Sequence, residues 1–276
     1  MLEYKVSQLT DIGRKRRENQ DAKFVGKGYF ILADGLGGRK AGKQASSIAV
    51  EIARHRLYAL MYGLKKKRLR DNQIESYLKQ SLNHVNNFVY LISDLKAILL
   101  EDDHEAFKDI INLYDTFGTT LAVSVIKDGS LYVANVGDSR VYLQRDGVLG
   151  QLTTDHACSW KGFGKGSLLQ YIGQEKVDAA TACVALEKGD RILMATDGLT
   201  DFAEDTEISN ILKQSEFKSI KYALRALAYA PQKVARDYAD VENVSFKKAQ
   251  ERIGGRDNIT LILIEYTGNV GGNENE

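Results

Sequence analysis

Four aspartates lie close to a glycine at the end of an apolar, strand-like stretch. They are Asp34 in ILADG, Asp138 in NVGDSR, Asp197 in MATDG and Asp257 in GGRDN. A single aspartate beside glycine is commonly a turn residue, because its short side chain caps the local backbone and glycine adopts positive φ. Four such aspartates next to apolar strands indicate a site as well as turns. Burying a carboxylate is costly unless it is paired or binds a cation.

A cluster of carboxylates without histidine or cysteine favours Mg²⁺ or Mn²⁺ over Zn²⁺, because hard cations prefer oxygen ligands. Two such ions a few ångströms apart would activate a water and hold a phosphoryl oxygen. The two cysteines, Cys158 and Cys183, do not have the spacing of metal ligands. A cysteine-based zinc site and a disulfide framework are therefore both excluded.

A second feature that could take part in chemistry is the basic segment GRKRREN at residues 13–19, which has four consecutive cationic residues. Such a segment is either a solvated turn or the source of an arginine that binds a phosphate through two parallel hydrogen bonds. The segment alone does not decide between these interpretations.

Hydrophobic periodicity predicts the elements that position these residues. The predicted strands are YKVSQLT (4–10), YFILA (29–33), TTLAVSVI, SLYVANVG, SRVYLQRD, RILMAT and NITLILIEY (258–266). The predicted helices cover 41–63, 74–92, 101–114 and 206–252, the last with a break at Pro231. The hairpin-like spacing in VIKDGSLYVANVG indicates antiparallel pairing, and the separation of strands from helices predicts an α+β fold in which helix pairs cover the sheets.

Charge and hydropathy limit the classes of partner. Lys+Arg total 38 against 37 for Asp+Glu, so the net charge is +1 and there is no global basic field for nucleic acid or anionic membranes. The sequence has no apolar run of about 18 residues, the length that a transmembrane helix needs. Its N-terminus lacks the apolar core of a signal peptide. We therefore expect a cytoplasmic protein without nucleic-acid or membrane partners.

Six stretches together resemble the metal-dependent Ser/Thr protein phosphatases (the type-2C or PPM family) in the wording of the bacterial branch. They are TDIGRKRRENQDAKF (10–24), ILADGLGGRKAGKQAS (31–46), FGTTLAVSVIKDGSLYVANVGDSRVYL (117–143), LTTDHA (152–157), LMATDGLTDF (193–202) and GGRDNITLILIEY (254–266). This resemblance implies an α-β-β-α sandwich of two antiparallel β-sheets flanked by helix pairs. Residues 1–266 would form a single catalytic domain, and 267–276 a polar, disordered tail.

The resemblance also implies a dinuclear Mn²⁺ or Mg²⁺ centre in a cleft at one end of the sandwich. Asp34 would bridge the two ions, and Gly35 would contribute its backbone carbonyl to one of them. The remaining ligand positions are Asp197 and Asp257 at one ion, Asp21 near the other, and Asp138 and Asp201 at a weaker third ion.

By the same resemblance, Arg16 and Asp34 are the catalytic residues, because Arg16 falls at the position of the phosphate-binding arginine. Arg17 is the alternative, since the basic cluster leaves the register uncertain by one residue. Asn258 would orient the metal ligands. A water between the ions would attack phosphorus in line, without a covalent phosphoenzyme. The substrates would be phosphoserine and phosphothreonine proteins, including a Ser/Thr kinase and its targets, and the protein would act as a monomer.

Three features depart from the family pattern. Leu36 stands where some eukaryotic members have a histidine proposed as a general acid. The flap at 157–167, ACSWKGFGKGS, is short, and Trp160 within it is either a substrate contact or a packed aromatic residue. The charged stretch 64–116 is either an ordinary solvated helix pair or a docking surface for an acidic partner.

Two other functions compete with an active phosphatase. A non-catalytic member would bind phosphoproteins, but it would be expected to lack part of the metal set, which is complete here. A phosphodiesterase or nuclease with two metals would usually recruit histidine, and none of the four histidines lies in a candidate metal motif.

Overall fold

Two five-stranded antiparallel sheets form the centre of the fold in the computed structural model, which describes residues 3–36, 40–101, 117–158, 167–215, 219–241 and 257–268. In chain order the strands are β1 (Tyr4–Asp11), β2 (Ala22–Val25), β3 (Tyr29–Ala33), β4 (Gly35–Leu36), β5 (Gly118–Thr119), β6 (Leu121–Lys127), β7 (Ser130–Val136), β8 (Arg140–Arg145), β9 (Val148–Gln151), β10 (Ala157–Cys158), β11 (Ser167–Leu168), β12 (Ala180–Ala185), β13 (Arg191–Ala195) and β14 (Ile259–Tyr266). The first sheet has the order β1-β14-β13-β8-β9 and the second the order β12-β7-β6-β3-β2, while β4-β5 and β10-β11 form two short ribbons.

Helices cover the outer face of each sheet. They are α1 (Lys40–Lys65), a 3₁₀ turn (Asp71–Gln73), α2 (Ile74–Glu101), α3 (Asp197–Thr200), α4 (Asp205–Gln214) and α5 (Ile220–Val241). Helices α1 and α2 pack on the second sheet, and α4 and α5 pack on the first. Among the helices of the described residues, none combines the length and the apolar character that crossing a bilayer requires.

Three apolar layers hold the four layers of backbone together. Strand β14 shows the arrangement, because Ile262 and Ile264 point between the two sheets while Leu261 and Leu263 point toward the helices. Alternate side chains of a strand lie on opposite faces, so a strand that is buried on both faces reads as a continuous apolar run. The prediction of an α+β sandwich of two antiparallel sheets flanked by helix pairs is confirmed.

The predicted break at Pro231 is wrong, because α5 continues through it from Ile220 to Val241. Proline removes one backbone donor and crowds the preceding turn, which usually ends or bends a helix. Here Leu224, Leu227 and Ala230 are buried against the first sheet on the turns before it, and this packing outweighs the local cost. The end of that prediction, residues 242–252, and all but the first residue of the helix predicted at 101–114 lie outside the described residues.

Gly198 in α3 allows this helix to pack closely against the start of β14. A Cβ atom built on Gly198 would lie 1.9 Å from the carbonyl oxygen of Asn258, closer than any side chain tolerates. The short helix that follows β13 therefore rests directly on the backbone that leads into β14. This contact fixes the relative position of the segments that carry Asp197 and Asp257.

We expect Gly198→Ala to destabilise the protein by about 1–3 kcal/mol, because overpacking forces backbone to shift. Gly150→Ala is the matched control, since a Cβ at this exposed position meets only a carbonyl oxygen at 4.0 Å. The control should stay within about 0.5 kcal/mol of the unmodified protein. Urea unfolding at equilibrium measures both, and equal free energies of unfolding for the two variants would contradict the contact.

Candidate metal centre

The second sheet brings Asp21 and Asp34 together. Strands β2 and β3 are antiparallel, and Ala22 pairs with Ala33. The residue that precedes β2 and the residue that follows β3 therefore lie at the same end of the sheet. These residues are Asp21 and Asp34.

The first sheet brings Asp197 and Asp257 to its own end in the same way. Ala195 at the end of β13 pairs with Leu261 near the start of β14. Asp197, which begins α3, and Asp257, which precedes β14, flank this pair. Each raises the pKa of Asp34 by charge repulsion, so the ends of both sheets meet at one cluster of carboxylates.

Threonine side chains fix the backbone of Asp34. Its N–H donates to Thr120 Oγ1 at 2.9 Å, and its carbonyl oxygen accepts from the Thr120 N–H at 2.8 Å and from Thr119 Oγ1 at 2.7 Å. Thr120 Oγ1 also lies 2.7 Å from Ser139 Oγ, one residue after Asp138. The backbone position of Asp34 is thus set independently of its carboxylate.

Gly35 lies in a close approach of two backbones. A Cβ at this position would lie 2.2 Å from the carbonyl oxygen of Gly42 and 2.7 Å from that of Gln20. Only glycine fits here, which explains the residue type without invoking a ligand. Its predicted carbonyl contact with a cation stays a prediction.

Asp21 is surrounded by threonine hydroxyls. Thr196 Oγ1 donates to Asp21 Oδ2 at 3.1 Å and in turn accepts from the Thr260 N–H at 3.0 Å. Thr260 Oγ1 lies 2.8 Å from Thr10 Oγ1. Burial raises the pKa of Asp21 to about 6, with a further rise from Asp257 and partial compensation by the threonines. Its other oxygen, Oδ1, is buried without a hydrogen-bond partner.

Asp34 and Asp197 have the most strongly raised pKa values of the cluster. Burial raises the pKa of each well above the usual range of a carboxyl group, and neighbouring carboxylates raise both further. Asp197 Oδ1 is buried without a partner.

Asp138 and Asp201 lie close enough to Asp197 to affect its charge. Both raise the pKa of Asp197 by charge repulsion, and burial raises the pKa of Asp138 to about 6. The Asp201 N–H donates to the Asp197 carbonyl at 2.8 Å, so these two residues are one helical turn apart. The structure therefore brings together all six predicted carboxylates.

Arg16 contacts the cluster directly. Its Nη2 donates to Asp257 Oδ2 at 2.6 Å, and the charges of Asp34 and Asp197 also raise the pKa of Arg16. Arg17 is exposed and forms no ion pair with the described residues. The geometry thus favours Arg16 over Arg17 as the arginine of the cluster, although the phosphate-binding role of either stays a prediction.

The donor set fits a hard divalent cation. The cluster offers only oxygen atoms, two of them buried without partners, and its repulsion would be relieved by positive charge. No group of three or more acidic, histidine or cysteine side chains in the described part of the chain is arranged to hold an ion as it stands. In the present contacts, Arg16 takes one oxygen of Asp257.

For several residues that organise the site, the sequence predicted no role. The threonines around Asp21 and Asp34 are the clearest case, and the signal was present in the Thr-Thr pair at 119–120 and in the threonine before Asp197. Arg140 Nη2 donates to Asp155 Oδ2 at 2.7 Å beside Asp138. Trp160 lies outside the described residues, so the structure does not address its prediction.

Comparison with known proteins identifies the family. Residues 13–226 match the family model for protein phosphatase 2C. The serine/threonine phosphatase stp of Listeria monocytogenes is 31% identical over 276 residues, with 93% of each chain covered. Protein phosphatase PhpP of Streptococcus pneumoniae is 30% identical over 227 residues, covering 75% of this chain and 83% of that protein.

Solved structures agree in fold. The serine/threonine phosphatase of S. agalactiae has a TM-score of 0.67 at 26% identity, covering 95% of this chain and 99% of that one. The catalytic domain of the phosphatase PstP, in complex with two manganese ions, has a TM-score of 0.66 at 22% identity, covering 95% and 97%. The predicted family and enzyme class are confirmed. The chain belongs to the protein phosphatase 2C family of metal-dependent serine/threonine phosphatases.

Proposed function

We propose that this chain hydrolyses phosphoserine and phosphothreonine in proteins at the six-carboxylate cluster, with two Mn²⁺ or Mg²⁺ ions and a weaker third. The observation that carries this proposal is the pair of buried, unpartnered oxygens, Asp21 Oδ1 and Asp197 Oδ1, in the cluster that Arg16 contacts through Asp257. The similar PstP structure, which holds two manganese ions, supports the number of ions.

The residues that would hold the ions follow the sequence prediction. Asp34 would be a ligand of both ions, the Gly35 carbonyl would be a ligand of one of them, and Asp197 and Asp257 would complete the ligands of one ion. Asp21 would serve the other ion, and Asp138 with Asp201 the third. When bound, such cations supply Lewis-acid chemistry, because they acidify water and neutralise charge on phosphoryl oxygens.

The protein's own groups position these atoms and the substrate. Thr196 orients Asp21, and Thr119 and Thr120 orient Asp34 through its backbone. Arg16 would bind the phosphoryl oxygens, because its planar guanidinium matches them with two parallel donors. Preorganised positive charge of this kind stabilises the charge that develops on a transferring phosphoryl group.

We further propose that the enzyme works in the cytoplasm, as a monomer, against a Ser/Thr kinase of the same cell. The relatives named serine/threonine phosphatase support phosphoprotein substrates. The balanced net charge of +1 supports a protein partner over nucleic acid.

The direct test is hydrolysis of p-nitrophenyl phosphate and of matched phosphoserine, phosphothreonine and phosphotyrosine peptides, with Mn²⁺ and with a chelator. We expect turnover of the aryl phosphate and of the first two peptides only when the cation is present. Activity that persists in chelator, or that is confined to phosphotyrosine, would contradict the proposal.

We expect Asp34→Asn to abolish turnover while it raises the Tm of the chelator-treated protein by several degrees at pH 7.5. Because the pKa of Asp34 is raised in the folded state, the carboxyl group lowers stability increasingly as the pH rises above its unfolded value of about 4. The gain in Tm should therefore grow with pH and vanish at pH 4. Thermal melts across this range measure it, and a gain that is independent of pH would indicate another cause.

Arg16→Lys keeps the charge but loses the planar fork. We expect it to raise KM for p-nitrophenyl phosphate about tenfold, since a hydrogen bond to a charged group contributes about 1.5–3 kcal/mol. Arg17→Lys should change KM less, because Arg17 does not contact the cluster. Steady-state kinetics of both variants decide the register, and the reverse order would assign the role to Arg17.

We propose Trp160 as a contact for the protein substrate. The flap contains Gly162, Gly164 and Gly166 and no proline. A phosphopeptide lies along a cleft and needs its border, whereas an aryl phosphate needs little beyond the metal site. Trp160→Ala should lower kcat/KM several-fold for a phosphopeptide and leave the value for p-nitrophenyl phosphate unchanged. Equal losses on both substrates would show a packing role instead.

A further inference from the structure

Asp257 has both of its carboxylate oxygens engaged by the protein. Oδ2 accepts from Arg16 Nη2 at 2.6 Å, and Oδ1 accepts from the Asn258 N–H at 2.8 Å. Asp21 and Asp197, in contrast, each keep one buried oxygen without a partner. A cation that takes Asp257 as a ligand must therefore compete with a group that is already bound.

The loop that carries Arg16 is fastened to the same place. Buried Asn258 donates from Nδ2 to the carbonyl oxygens of Ile12 at 2.8 Å and Glu18 at 3.2 Å. Its Oδ1 accepts from the Gln20 N–H at 2.8 Å. Both ends of the Arg16 loop are thus tied to the residue after Asp257, so the ion pair can open only through rotation of side chains.

The Arg16 side chain is free to rotate in this way. It is 48% exposed, against 26% for Asp257, so its departure costs little packing. A divalent cation on Asp257 would repel the guanidinium and remove its acceptor at the same time. The released guanidinium would keep its position beside the cluster, because the loop backbone stays fixed, and would present its donors to an incoming phosphoryl group.

We propose that Arg16 is a latch that holds Asp257 in the cation-free protein and exchanges it for the phosphoryl group when a divalent cation binds. The latch lowers the affinity for the cation and raises the affinity of the cation-bound protein for the phosphate ester. The two binding events are then coupled, each favouring the other. This inference rests on the proposed function, because it assigns Asp257 to a cation.

The test measures two quantities with opposite expected signs. Calorimetric titration with MnCl₂ gives the Kd of the cation, and steady-state hydrolysis at saturating Mn²⁺ gives KM for p-nitrophenyl phosphate. Arg16→Met should bind Mn²⁺ at least fivefold more tightly than the unmodified protein, and its KM should be at least tenfold higher. If the role of Arg16 were merely structural, Arg16→Met would bind both Mn²⁺ and p-nitrophenyl phosphate more weakly than the unmodified protein.

Two further variants separate the effect of the contact between Arg16 and Asp257 from the effect of the positive charge of the loop. Arg14→Met removes a charge from an exposed residue of the same loop that forms no ion pair with the described residues, so it should change the Kd of Mn²⁺ less than twofold. Arg16→Lys keeps the positive charge but has a shorter side chain without the planar guanidinium that contacts Asp257. It should bind Mn²⁺ at least twofold more tightly than the unmodified protein.

The latch is overturned if Arg16→Met binds Mn²⁺ no more tightly than Arg14→Met, or if Arg16→Lys binds it as the unmodified protein does. Failure of the proposed function would look different, since the unmodified protein would then bind no Mn²⁺ and show no Mn²⁺-dependent hydrolysis.

Discussion

Repulsion among partly buried carboxylates is the constraint around which this structure is organised. Both sheets of the sandwich end in aspartates that meet at one place, and burial raises the pKa of Asp21, Asp34 and Asp197 together. Uncompensated negative charge of this kind destabilises a folded chain. The arrangement is therefore understandable only as a site that receives positive charge, from protons, from Arg16 or from a divalent cation.

The rest of the fold provides the rigidity that this repulsion requires. Apolar layers lie between the sheets and under both helix pairs, and the strands that end at the site run through them. Polar groups then fix the last residues of each strand: threonines hold Asp34 and Asp21, and Asn258 holds the Arg16 loop. Close backbone contacts at Gly35 and Gly198 remove the remaining freedom. Few alternatives remain except a change of partners among the charged side chains.

The sequence predicted the sheets, the main helices and the acidic cluster, because apolar periodicity and aspartates at strand ends are local signals. It could not predict that α5 passes through Pro231, since that outcome depends on packing of Leu224 and Leu227 against a distant sheet. Nor could it predict the ion pair between Arg16 and Asp257, which are far apart in the chain and meet only when β1 pairs with β14. The roles of Thr196 and Thr260 were hidden for the same reason, since threonine is an ordinary strand residue.

Proton release on cation binding tests the central claim most directly, because a cation needs carboxylates without their protons. Mn²⁺ can be titrated calorimetrically at pH 6 and at pH 8 in buffers that differ in ionisation enthalpy. With the pKa of Asp21 at about 6 and those of Asp34 and Asp197 raised, binding at pH 6 should release protons, and the heat should depend on the buffer. The part of this dependence that comes from Asp21 should weaken at pH 8. Binding at pH 6 with the same heat in every buffer would contradict a carboxylate cluster with raised pKa values as the cation site.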